Sequence, residues 1–198
     1  MFRTIGKLAI RVGAVGCLAF APMANAGIET NGGFETGDFT GWTQFGDSAF
    51  DFVDSSSPHS GNASAFFGAV DSSGISQTLT TITGQKYEVS FWLANDEGTP
   101  NAFSWSWNGV AQASSFVDSA AADYTNYSSL MTATGTATVL SFSFQNQTNF
   151  WRLDDVQVTD TGINVSTVPE PETWLLLSAG LGVLGLVKRR RNTRTIQA

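Results

Sequence analysis

Between residues 27 and 161, apolar and polar side chains alternate in short runs. No window repeats apolar residues at the i, i+3, i+4, i+7 spacing of an amphipathic helix. The clearest run is 86–95. Tyr87, Val89, Phe91 and Leu93 fall on one side of a strand, and Glu88, Ser90, Trp92 and Ala94 on the other. Residues 102–107 alternate again, setting Phe103, Trp105 and Trp107 against Ser104 and Ser106; Asn108-Gly109 then supplies a hairpin turn. Residues 138–146 direct Leu140, Phe142 and Phe144 inward. Further strands are predicted at 45–53, 63–70, 75–80, 110–116, 124–133 and 150–159, between loops rich in Ser, Pro, Gly, Asn and Asp at 55–62, 96–101 and 118–123. Ahead of them, glycine turns in 27–42 are anchored by Phe34, Phe39 and Trp42. About eight to ten strands on one core predict an all-β sandwich. The lack of a fixed repeat excludes a propeller or solenoid.

Both ends break the alternation. Arg3, Lys7 and Arg11 precede an apolar stretch at 12–20 and an Ala24-Asn25-Ala26 cleavage site, so 1–26 reads as a signal peptide and the mature chain starts at Gly27. At the other end Val168-Pro169-Glu170-Pro171 must be extended, because each proline fixes φ and lacks an N–H. An apolar run at 174–187 follows, then the basic cluster 188–191 and a short tail, 192–198. Fourteen residues make about 21 Å of helix. Trp174 at one interface and snorkelling bases at the other extend that toward a membrane crossing, with the bases cytoplasmic. Proline motif, apolar run and basic stop in this order resemble the PEP-CTERM sorting signal of Gram-negative bacteria. The resemblance implies export through the general secretion machinery, transient anchoring in the inner membrane, recognition by an exosortase, and a final place at the cell surface or in the exopolysaccharide matrix. Residues 162–167 read as the linker between sandwich and signal.

Charge fits that route. The chain's net −7 conceals a far more acidic middle: residues 27–167 hold 15 Asp and Glu against Lys86 and Arg152, a net −13. So acidic a body excludes nucleic acid as a partner, since phosphate binders need basic patches. It accommodates hard cations, which prefer carboxylate oxygen. The one cysteine, Cys17, lies in the leader, so the body has no disulfide and no thiolate metal site. A body of this length sustains its own core without such staples.

Three separated pieces of the body resemble the galactose-binding-domain-like jelly rolls that include many carbohydrate-binding modules. They are Asn31-Gly32-Gly33-Phe34-Glu35 with Gly41-Trp42; Pro58-His59-Ser60-Gly61-Asn62-Ala63 followed by Gln77-Thr78-Leu79 and 84–92; and Leu153-Asp154-Asp155-Val156. The resemblance implies a jelly-roll sandwich whose first and last segments are tied by a structural calcium. It puts Glu35 and Asp154 in the ligand role, with Asp155 as a further partner and carbonyls of the 57–61 loop as additional oxygens.

Polysaccharide binding needs aromatic platforms beside hydroxyl partners. Trp92, sharing a strand face with Glu88 and Ser90, is the first candidate; Trp105 and Trp107 lie together on one face that is either core or platform. Trp42 reads as core. His59, the only histidine, sits in a polar loop, and nothing around it in the sequence outlines a catalytic triad. No carboxylate pair stands out by spacing among Glu35, Glu88, Asp96 and Glu97. The expected function is a non-catalytic glycan-binding module. The alternatives are a structural matrix protein or a small carboxylate-dependent glycan hydrolase.

Overall fold

The computed structural model describes residues 27–165. Eleven strands form two antiparallel sheets packed face to face. In chain order they are β1 (Thr43–Gly46), β2 (Asp51–Asp54), β3 (Ser64–Phe67), β4 (Ser73–Thr80), β5 (Gln85–Asn95), β6 (Asn101–Trp107), β7 (Val110–Ala111), β8 (Phe116–Val117), β9 (Ala122–Thr132), β10 (Ala137–Asn146) and β11 (Trp151–Asn164). The larger sheet runs β1-β4-β10-β6-β7, with β8 also paired to β6; the smaller runs β2-β3-β11-β5-β9.

The period-two pattern explains the core. Tyr87, Val89, Phe91 and Leu93 of β5 meet Leu140, Phe142 and Phe144 of β10 between the sheets, all buried. Phe67 and Phe144 stack across the gap with centroids 3.9 Å apart, and Phe91 meets Phe142 edge to face at 5.1 Å. Trp42 caps the core, its indole N–H donating to the Asn31 carbonyl. Asn108 (φ 50) and Gly109 (φ 78) both take the positive φ of the expected two-residue hairpin turn.

Three predicted elements differ. The strand expected at 45–53 is two strands in different sheets, because a 3-10 turn at Ser48–Phe50 carries the chain over the sandwich edge. The expected strand 110–116 reduces to β7 and β8, each two residues long. β11 runs on to Asn164, so the predicted linker at 162–167 begins inside a strand; Asn164 pairs with Gln85 there. The predicted leader, 1–26, and the sorting segment, 168–191, lie outside the described residues.

Candidate functional site

The last strand makes the site. Asp154 of β11 pairs with Trp92 of β5, yet the next paired residues are Gln157 and Ser90, so β11 carries an extra residue here. Asp155 takes up that bulge with φ 47. Strict alternation would send consecutive acids to opposite faces; with the bulge, both reach the 55–63 loop on the outer face of the smaller sheet. Asp154 Oδ2 accepts the N–H groups of His59 (2.8 Å) and Ser60 (3.2 Å), and its Oδ1 accepts the N–H of Asp155. Asp155 takes the His59 ring at 2.6 Å and the Ser60 hydroxyl at 2.8 Å. Glu35 holds the loop's far side, accepting the N–H groups of Asn62 and Ala63 and the Asn62 amide. These bonds, the Asn62 N–H foremost, favour the Glu35 carboxylate and lower its pKa. Asp154 is fully buried, and desolvation pushes its carboxyl up to about 6.

Trp92 supports the same loop. The His59 ring stacks on the indole at 3.7 Å, tilted by 16°, and Tyr124 meets His59 edge-on while bonding the Ser57 carbonyl. His59 is thus one jaw of a clamp. Ser60, its neighbour, donates to Asp155 and not to the imidazole, so a Ser–His–Asp relay does not form in this loop. Trp92 therefore offers a ligand only a fraction of its surface. That fraction walls a groove of about 460 Å³ over Ser90, lined also by Asn126, Gln157, Asp155 and Glu29. Glu88 is exposed on the same outer face and accepts the Ser128 hydroxyl at 2.9 Å.

Trp105 and Trp107 are not platforms. They are 2% and 3% exposed, packed between the sheets; Trp105 lies edge to face with Phe91, and Trp107 donates its N–H to the Thr132 carbonyl. Their face of β6 is the inward one, and the serines between them face out. Trp151 is also core.

The outward serines belong to a second feature that the sequence does not single out. On the larger sheet Ser76, Ser141 and Ser106 form one cross-strand row, and Gly74, Ser143 and Ser104 the next. The exposed Phe45 of β1 pairs with Gly74 and lays the tip of its ring over it: a Cβ at Gly74 would meet Phe45 Cζ at 2.5 Å. The pairing of an edge aromatic with a glycine is the available signal, and it becomes visible only once the register is known.

Among the described residues, no three His, Cys, Asp or Glu side chains converge as a metal-ligand group. Glu35 accepts from the Asn62 and Ala63 groups of the loop, and its Cγ would lie 3.8 Å from a Cβ at Gly33. The acidic oxygens that a hard cation would meet here are those of Asp154 and Asp155. A Cβ built on Gly33 would lie 3.6 Å from Asp155 Oδ1 and 3.9 Å from Asp154 Oδ1, so two carboxylates close on a residue without a side chain. Asp154 and Asp155 would hold such an ion, with backbone carbonyls completing an oxygen shell. Bound there, it would supply charge neutralisation for the buried Asp154.

Comparison with known proteins decides where the chain goes and what its body looks like. Residues 167–191 are a PEP-CTERM protein-sorting motif. The motif marks an exported protein sorted to the cell surface. No protein of curated function matches the PEP-CTERM chain in sequence. Its body is similar to a family 61 carbohydrate-binding module solved with β-1,4-galactotriose: 22% identity, TM-score 0.56, 68% of this chain and 98% of that one. It is also similar to a xylan-binding domain of family 22 (13%, TM-score 0.51, 73% and 100%). A tandem of family 22 modules from Paenibacillus barcinonensis Xyn10C matches at 21% identity and TM-score 0.52, over 76% of this chain and 50% of that one. At these identities the likeness is one of fold: the body is a jelly-roll β-sandwich, the fold that these solved modules share.

Proposed function

We propose that this PEP-CTERM chain is an exosortase-sorted, non-catalytic module that binds a polysaccharide at the cell surface or in the surrounding matrix, in the groove beside Trp92. The observation that supports this most is the make-up of the groove. Part of the Trp92 side chain stands beside Ser90, Asn126, Gln157 and the carboxylates of Glu29 and Asp155, a polar set that supplies partners for a sugar's hydroxyls. Glu88 extends the polar surface along the same strand. A strand rises about 3.3 Å per residue, so Glu88 and Trp92 stand about 13 Å apart and would meet different sugar units and not one ring.

Asn126 and Gln157 are exposed, and the bond from the Asn126 amide to the Phe91 carbonyl is long at 3.5 Å, so a double Ala variant is expected to melt close to the parent. Its retention on an affinity gel of the recognised polysaccharide is expected to fall at least tenfold, about 1.4 kcal/mol. Unchanged retention by that variant on every polysaccharide the parent binds refutes the groove. A second placement is favoured by Phe45 over Gly74 among the serines of the larger sheet. Loss of retention in Phe45→Ala alone would move the site to that face.

We also propose calcium between Asp154 and Asp155. A ligand held only by the folded chain stabilises it by mass action, by about 2.7 kcal/mol at a hundred times its dissociation constant. Chelation is expected to lower the melting temperature by several degrees, and Asp155→Asn to abolish that difference. Identical melting curves with and without chelator remove the ion.

A further inference from the structure

The sandwich is strongly polarised from end to end, and the polarity lines up with where the chain leaves it. At one end lie the loops and strand ends 45–51, 67–73, 95–101 and 116–123. They carry Asp47, Asp51, Asp71, Asp96, Glu97, Asp118 and Asp123, with no Lys or Arg among them. Arg152 of β11 reaches Asp96 at 2.8 Å, and the end stays strongly acidic around that pair. The other end is built from 80–86, 108–110, 132–139 and 160–165 and holds one carboxylate, Asp160, and one cation, Lys86. Asp160 there accepts the Gln85 amide and the Gly162 N–H. These segments are knit into one surface. Val165 N–H donates to the Gly84 carbonyl, Gly84 N–H to that of Ala133, Thr81 N–H to that of Thr136, and the Asn108 amide to the Thr134 hydroxyl.

This nearly uncharged end also exposes aliphatic side chains. Ile82, Val110, Ile163 and Val165 are each more than half exposed; Phe50 and Val117 are as exposed at the other end, but there they stand among the carboxylates. Around them stand threonines and glycines, uncharged residues whose hydroxyls and amides keep hydrogen-bond partners among headgroup oxygens and water. β11 delivers the chain to this end, and Val165 is its last described residue. Only residues 166–173 separate it from the apolar run that starts at Trp174. Eight residues reach at most about 29 Å even when fully extended. The surface of Ile82, Ile163 and Val165 is therefore held within a few nanometres of whatever the apolar run enters.

We propose that this end is a lipid-facing foot: before processing, the sandwich stands on the outer surface of the inner membrane with Ile82, Val110, Ile163 and Val165 at the headgroups and the seven carboxylates pointing away. The occupant is the phospholipid surface. Tether length brings it there. Charge orients the domain, since the acidic end is repelled by anionic headgroups and the neutral end is not. The proposal rests on the reading of 174–187 as a membrane segment. It adds the orientation in which the groove beside Trp92, on the side of the sandwich, stays open to glycan while the chain is still anchored.

The body has no cysteine, so single labels can be placed freely. The test uses the full chain exported in a host without exosortase, bearing Ile82→Cys, Ile163→Cys or, at the acidic end, Val117→Cys. Each is labelled with an environment-sensitive dye and reconstituted in phosphatidylcholine–phosphatidylglycerol vesicles with or without a headgroup-level quencher lipid. Labels at 82 and 163 are expected to lose half their intensity or more to the quencher, and the label at 117 to lose none. Equal responses at the three positions overturn the foot. Flotation of the same sample separates the causes. Protein that floats with unquenched labels at 82 and 163 refutes the foot alone, whereas protein that does not float refutes the membrane segment and the foot with it.

Discussion

Trp105→Ala is expected to cost about 3–5 kcal/mol of folding stability, the range for removing a large buried aromatic. The side chain is 2% exposed and contacts Phe91 and Phe142 from opposite sheets, so its loss leaves a cavity between two layers that cannot close on each other. Its indole N–H has no partner in the core. Burial of an unpaired donor is unfavourable, and this sets up an internal control. Trp105→Phe removes the N–H, leaves a smaller gap, and is expected to cost well under half as much. Trp107, whose N–H bonds Thr132, should show no such relief in Trp107→Phe. Urea unfolding of the three variants beside the parent measures this. A Trp105→Ala protein that unfolds like the parent yet fails to bind polysaccharide would return Trp105 to the platform role that its burial denies.

The fate of the three tryptophans shows what the pattern can and cannot reveal. Alternation correctly groups Trp105 with Trp107, and Trp92 with Glu88 and Ser90. It reports which residues share a face and not which face is covered. For β5 the question resolves itself, because Tyr87, Val89, Phe91 and Leu93 form an obvious apolar set. For β6 the opposite set is serine, and a row of serines marks an outer face only when its cross-strand neighbours are known. Ser106 and Ser104 pair with Ser141 and Ser143, and that settles it. Long-range register is also why the paired acids are half legible. Asp154 and Asp155 stand out as a unit, but a strict period of two would separate them, and only the bulge against β5 brings both to the 55–63 loop. For Glu35 the resemblance implies an ion. In the structure its carboxylate accepts the N–H groups of Asn62 and Ala63, partners that sequence spacing does not reveal.

The clamp and the groove depend on one another through this loop. His59 stacked on Trp92 covers one side of the indole, and the same residue's N–H holds Asp154. Trp92 and the acidic pair therefore share His59 as a common partner.

Gly32→Ala is expected to unfold the body or cost at least about 3 kcal/mol, whereas Gly33→Ala one residue on should cost less than about 1 kcal/mol. At Gly32 an added Cβ would stand 2.0 Å from the Val156 carbonyl oxygen, an overlap with backbone that no rotamer relieves. The Gly32 carbonyl also accepts the Val156 N–H, so the first segment and the bulge of β11 are locked by one bond and one close approach. Moving either displaces buried Val156 from the core and Asp155 from His59. At Gly33 the nearest atoms to an added Cβ are side-chain atoms at 3.6–3.9 Å, ordinary contact. Gly33→Ala therefore keeps the fold while placing a methyl within 4 Å of Asp154, Asp155 and Glu35. If calcium sits there, that variant should melt like the chelated parent and show no further loss with chelator. A Gly33→Ala protein as chelator-sensitive as its parent would place any stabilising ion elsewhere, and a Gly32→Ala protein of parental stability would mean that the first segment is not seated against the bulge.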